Sequence, residues 1–90
     1  MHVEEVEIYS DATNRAILRH PSRKFPGVLI QGDNLHLLCQ QADTACEGAR
    51  ETMSAENYAA LNNLRNSLWA YLNHYKQVLG EHDMRLPFTG

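Results

Sequence analysis

Residues 25–35, Phe25-Pro26-Gly27-Val28-Leu29-Ile30-Gln31-Gly32-Asp33-Asn34-Leu35, decide the fold class of this chain. Pro26 and Gly27 form a turn, Val28-Leu29-Ile30 is the most apolar short run in the sequence, and Gly32 interrupts it. Asp33 then stands where a carboxylate accepts the free backbone N–H groups of a new helix and favours the positive end of its dipole. A strand over 27–31, buried on both sides or central in its sheet, is therefore expected to pass directly into a helix over 34–49.

Upstream of this junction the hydrophobic period is two. Val6 and Ile8 alternate with Glu5 and Glu7, which predicts a strand over 3–9 with one face wet. Ser10 to Asn14 is a cluster of turn formers, and Ala16-Ile17-Leu18-Arg19-His20 reads as a second strand over 15–20, so the two make a hairpin. Pro21 ends the second strand by removing a ladder donor.

Downstream the period lengthens to that of a helix. Leu35, Leu38, Cys39, Ala42, Ala45, Cys46 and Ala49 form a stripe whose side chains shrink along the helix, which predicts close approach of a partner helix. Ser54 is the expected N-cap of a second helix over 55–79, with Gly80 as its stop. Its apolar face is expected to run through Leu61, Leu64, Leu68, Tyr71, Tyr75 and Val78, flanked by Tyr58, Leu72 and Leu79. At 1.5 Å per residue such a helix spans about 37 Å, longer than a short strand or the first helix. Part of its face is thereby left for a second subunit, and Trp69, Tyr71, Leu72 and Tyr75 are the expected contact residues of a homodimer. The tail over 81–90 alternates Met84, Leu86 and Phe88 and is expected to lie extended as a strap. The fold class is thus α+β, three antiparallel strands followed by two helices, read as a single domain over 1–90 with a common interior.

Composition narrows the class of function. Ninety residues leave room for one core, and 43% hydrophobic with 21% charged residues excludes wholesale disorder. No run approaches the roughly 18 apolar residues of a membrane helix, and the acidic start is unlike a secretory leader, so the expected location is the cytoplasm and no membrane partner is expected. Cys39 and Cys46, seven positions apart on one helix, lie roughly 10 Å apart and cannot bridge, which suits reduced, buried thiols.

The net charge of −3 is unevenly distributed. Residues 1–11 hold Glu4, Glu5, Glu7 and Asp11 and no base, whereas residues 12–32 hold Arg15, Arg19, Arg23 and Lys24 and no acid. The strip Arg15, Arg19, His20, Arg23, Lys24, together with Phe25, is the candidate binding surface for phosphates or for an acidic protein. Charge guarding a strand edge is the plainer account of the same residues.

The remaining candidates are weaker. Asp33 as a cap needs no catalytic role, and His36 with Cys39 and Cys46 lacks the fourth ligand and the spacing of structural zinc. The apolar stripe shared by both thiols argues against a cysteine nucleophile. Leu86-Pro87-Phe88-Thr89-Gly90 matches the LPxTG sorting pattern without a leader before it or an apolar stretch after it, and is expected to be a chance match. No phosphate loop, nucleophile elbow or dinucleotide fingerprint occurs, so no catalytic residue, metal or cofactor is expected.

Two resemblances bear on residues 23–35. Pro26-Gly27, a strand, then Gln31-Gly32-Asp33 opening an Ala-rich helix is similar to HicB-type antitoxins, whose strands and helix make a small double-stranded-RNA-binding-like domain; their DNA-binding segment has no counterpart here. Over its whole length the chain resembles a family of short bacterial proteins of unknown function that share Arg-x-Phe-Pro-Gly-Val-Leu-Ile-Gln-Gly-Asp, with Lys24 in the variable place. The expectation is a non-catalytic bacterial interaction module, an accessory, antitoxin-like or immunity-like protein, acting as a homodimer that docks onto another macromolecule, with a protein as one candidate partner. Nucleic-acid binding through 15–24 is the alternative, and a cysteine-dependent enzyme the least favoured.

Overall fold

A computed structural model describes residues 1–89 and has the expected element order, three strands and then two helices. Gly90, the last residue of the predicted tail and of the LPxTG match, lies outside the described residues. The strands are β1 (Glu7–Ser10), β2 (Ala16–Arg19) and β3 (Gly27–Leu29), and the helices are α1 (Gly32–Ala49) and α2 (Ala55–Glu81). The chain divides into two compact units, residues 1–31 and 32–90.

The first unit is an antiparallel sheet in the order β1-β2-β3. Ala16, Ile17 and Leu18 face Leu29, Val28 and Gly27 across the β2–β3 ladder, while Glu7 and Ile8 face Arg19 and Leu18 across β1–β2. A bulge between Ile8 and Ser10 shifts the β1 register, and Asn14, at φ 60°, takes the left-handed position of the turn that follows. Val28-Leu29-Ile30 was expected at the centre of the sheet, but it lies on an edge and is exposed. An apolar run marks a strand without fixing its place, and here the two sequential hairpins put β2 in the middle. All three strands are also shorter than predicted; Val3 to Val6, expected in the first strand, remain outside the ladder.

The second unit is an antiparallel helix pair. Its pairing follows from contacts whose numbers run in opposite directions: Gly32 with Tyr75, Leu35 and Cys39 with Leu72, Asp43 with Trp69 and Arg65. Leu35, Cys39, Ala42 and Cys46, spaced 4-3-4, are the buried stripe of α1, and Leu72 is fully buried against it. Leu68, Trp69, Tyr75 and Phe88 close the cluster. Ala45, included in the predicted stripe, is exposed.

Three local expectations need correction. The seam of α2 is rotated from the predicted one: Leu64 and Tyr71 are 56% and 68% exposed, and Arg65 and Leu72 take the inward positions. The cause lies on α1, where Asp43 accepts a hydrogen bond from Trp69 Nε1 at 3.0 Å and pairs with Arg65 through the same oxygen at 4.0 Å, turning α2 to suit. Asp33 lies inside the first turn of α1 instead of capping it, its Oδ1 accepting from the N–H of Asn34 at 2.8 Å. Helix α2 runs through Gly80 to Glu81, because Asp83, at φ 54°, supplies the left-handed turn that a stop requires and Met84 N–H closes on the Leu79 carbonyl at 2.9 Å. Ser54 does cap α2, its Oγ accepting from Asn57 N–H at 3.2 Å.

Beyond Asp83 the chain returns along the helices, and the Phe88 ring stacks on His36 with centroids 4.1 Å apart. Phe88 thereby packs on the Leu35, Cys39 and Leu72 cluster that the two helices share. No helix among the described residues is long and apolar enough to cross a membrane.

Leu72→Ala removes the largest fully buried side chain of a small core. It is expected to cost about 2–5 kcal/mol, read as a fall in the urea midpoint followed by Trp69 fluorescence. Tyr71→Ala, one residue earlier and exposed, is expected to cost below about 0.5 kcal/mol.

Candidate functional site

The strand unit carries an open groove of about 470 Å³ lined by Leu18, His20, Arg23, Lys24, Phe25 and the β3 residues Gly27 to Leu29. It is made by local geometry. The β2–β3 connection must turn between two strands within seven residues, 20–26, and it is held by short bonds: Arg23 N–H to His20 O at 2.9 Å, and Ser22 N–H to His20 Nδ1 at 3.1 Å. Arg19 Nη1 reaches across to the carbonyl of Arg23 at 2.9 Å and fixes the far side of the loop. Phe25 is left standing at the rim, 72% exposed, with Lys24 Nζ 5.5 Å from its ring centroid.

Four of the six residues of the predicted basic strip, His20, Arg23, Lys24 and Phe25, thus come together in the groove. The other two do not. Arg19 pairs with Glu7, its cross-strand neighbour, and that hydrogen bond and charge raise the Arg19 pKa further above its ordinary value. Arg15 lies at the turn between β1 and β2, its N–H on the Ala12 carbonyl at 3.0 Å. Among the described residues neither Arg23 nor Lys24 has a carboxylate within ion-pair distance, so their charge faces solvent.

The groove combines apolar and cationic groups. Its floor is apolar, its rim is cationic, and it holds neither thiol nor carboxylate. Ser22 Oγ lies 2.7 Å from His20 Nδ1, the spacing of an activated nucleophile, but the backbone N–H of Ser22 already occupies that lone pair. The pair ties the loop and has no base to spare.

The helix unit contains a second cleft, of about 460 Å³, lined by Asp43, Cys46, Glu47, Arg50, Tyr58 and Arg65. Its charges are largely used internally: Arg65 holds Asp43 and donates to Asn62 Oδ1 at 2.7 Å and Asn66 Oδ1 at 3.3 Å. Sequence reasoning missed Asp43, although an acid beside the Cys39 and Cys46 stripe, facing a Trp and an Arg on the partner helix, was the available signal. Of the residues predicted as a subunit contact, Leu72 is fully buried, Trp69 and Tyr75 pack around it, and only Tyr71 is exposed. Cys39 and Cys46 are reduced and buried, and burial, followed by the nearby Asp43 charge, raises the Cys39 pKa. His36, set aside above as a metal ligand, is flanked by the Phe88 face and by Trp69 edge-on at 6.5 Å.

The chain is a small α+β protein with a cationic, apolar-floored groove on an open sheet. It belongs to the family of unknown function DUF6959, whose model matches residues 1–88. No curated protein and no solved structure matches it.

Both thiols are expected to resist iodoacetamide in the native protein and to react in denaturant. Because the folded Cys39 pKa is raised, its contribution to stability is complete below the ordinary thiol pKa of about 8.5 and is lost as pH rises through the higher folded value. Urea midpoints measured from neutral to alkaline pH should fall less steeply in Cys39→Ala than in the parent protein.

Proposed function

We propose that the protein is a non-catalytic interaction module that docks another macromolecule through the groove and the β3 edge. One observation carries this reading: an uncharged, exposed edge strand, Gly27 to Leu29, runs beside two cations, Arg23 and Lys24, that have no acidic partner among the described residues. An edge strand offers unpaired N–H and C=O groups to an incoming chain, the apolar floor accepts a side chain, and the rim selects for acid. Working as a homodimer in the cytoplasm of a bacterium, in the manner of an antitoxin or immunity protein, is the biological form that suits a small module of this kind.

A benzophenone amino acid placed at Val28 tests the docking site by photocrosslinking in the source cell. The expected result is a discrete protein adduct that is absent when the same probe replaces Glu51, which lies outside the groove. No adduct at position 28 would overturn the reading.

A second reading is favoured by Phe25, whose exposed ring beside Arg23 and Lys24 resembles a base-stacking platform next to phosphate ligands. Nucleic-acid binding of this kind would weaken steeply with salt. Fluorescence anisotropy with a single-stranded and a duplex RNA is expected to show no binding at physiological salt under the docking reading. Salt-sensitive binding abolished by Arg23→Glu with Lys24→Glu would favour the nucleic-acid reading instead.

A further inference from the structure

We infer that the β3 edge and its groove receive residues 3–6 of a second copy of this chain, which adds them as a fourth strand. The inference deepens the docking reading by naming the partner. Charge is the first ground. The chain carries its own complement to the groove, since residues 1–11 hold Glu4, Glu5, Glu7 and Asp11 with no base, and the groove residues Arg23 and Lys24 have no acid beside them. Glu7 is already committed to Arg19 and Glu4 touches only His2, at 3.1 Å, while Glu5 has no partner among the described residues.

Length and form are the second ground. Val3-Glu4-Glu5-Val6 precedes β1, carries the same apolar and acidic character, and lies outside the ladder with Val3 89% exposed. Four residues are enough to span the three-residue edge strand Gly27–Leu29, and a valine suits a floor of Leu18, Val28 and Leu29. In an antiparallel sheet, alternate residues of an edge strand direct N–H and C=O groups outwards, which is what an added strand requires.

The two edges of the sheet are also unequal. β1 is protected by Glu7 and by the bulge between Ile8 and Ser10, both devices that prevent pairing. β3 pairs with β2 without a bulge and carries no charge, with Pro26 as its only guard. An arm from each copy on the β3 edge of the other makes two identical contacts related by a two-fold axis, so association closes at the dimer.

Sedimentation equilibrium of the full chain and of two charge-reversed variants, Glu4→Lys with Glu5→Lys and Arg23→Glu with Lys24→Glu, tests the exchange. The parent protein is expected to dimerise, and each variant alone to weaken dimerisation by about tenfold or more through like-charge contact of arm and groove. An equimolar mixture of the two variants restores both contacts, an acidic arm on a basic groove and a basic arm on an acidic one, and is expected to recover a heterodimer. A folding defect would not be rescued by mixing, and circular dichroism of each variant checks this directly. A strictly monomeric parent, dimerisation indifferent to both reversals, or a mixture that stays monomeric would each overturn the inference. Photocrosslinking at Val28 separates its failure from that of the docking reading: an adduct to a different protein retains docking and rejects the second copy, whereas no adduct rejects both.

Discussion

The insertion of Leu72 between Leu35 and Cys39 is the contact on which the helix unit depends. Among the described residues the buried apolar set is small, Leu35, Cys39, Ala42, Cys46 and Leu72, and all of it lies on the two helices. Small side chains on α1 let the helices approach, but each of them contributes little transfer free energy, so one large residue must fill the space between. Leu72 does this, and the surrounding ring of Leu68, Trp69, Tyr75 and Phe88 keeps water from it. The buried thiols belong to the same arrangement. They are small and apolar in character, and burial raises the pKa of Cys39.

Around that contact the polar groups set orientation. A single oxygen of Asp43 serves both Trp69 and Arg65, so the rotation of α2 about its axis is fixed by a half-buried carboxylate more than by the apolar pattern. This explains why the strongest periodic signal in the sequence pointed to the right helix and to a displaced face. Leu64 and Tyr71 continue the 3-4 alternation with two apolar residues where Arg65 and Leu72 offer one, and only partner residues 20 or more positions away favour the second solution. Pairwise polar contacts between distant positions have no periodicity to read.

The order and type of the elements were legible for the opposite reason, since they rest on local chemistry. Alternation at Val6 and Ile8, the turn residues from Ser10 to Asn14, Pro21, and the Ser54 cap each act within a few residues of themselves. The place of β3 at an edge was not legible, because Val28-Leu29-Ile30 is as apolar as a central strand and nothing near it states its neighbours. The candidate site was half legible. Charge clustering pointed to residues 15–25, but the hairpin alone decides that Arg19 turns to Glu7 while Arg23 and Lys24 flank an apolar floor. The exposed apolar groups on the sheet, with Phe25 and Val28 at 72% and 60% exposure, are the feature on which the proposed docking role rests.

Gly32 has a consequence of another kind. A methyl group built on it would fall 2.3 Å from Cζ of Tyr75, so the ring rests directly on the backbone at the start of α1. A side chain at 32 requires the ring at 75 to move from its present place, which couples two positions 43 residues apart. Among relatives that keep the helix pair, loss of the glycine should travel with a smaller residue at 75, a signature that sequence divergence would write without any selection on function.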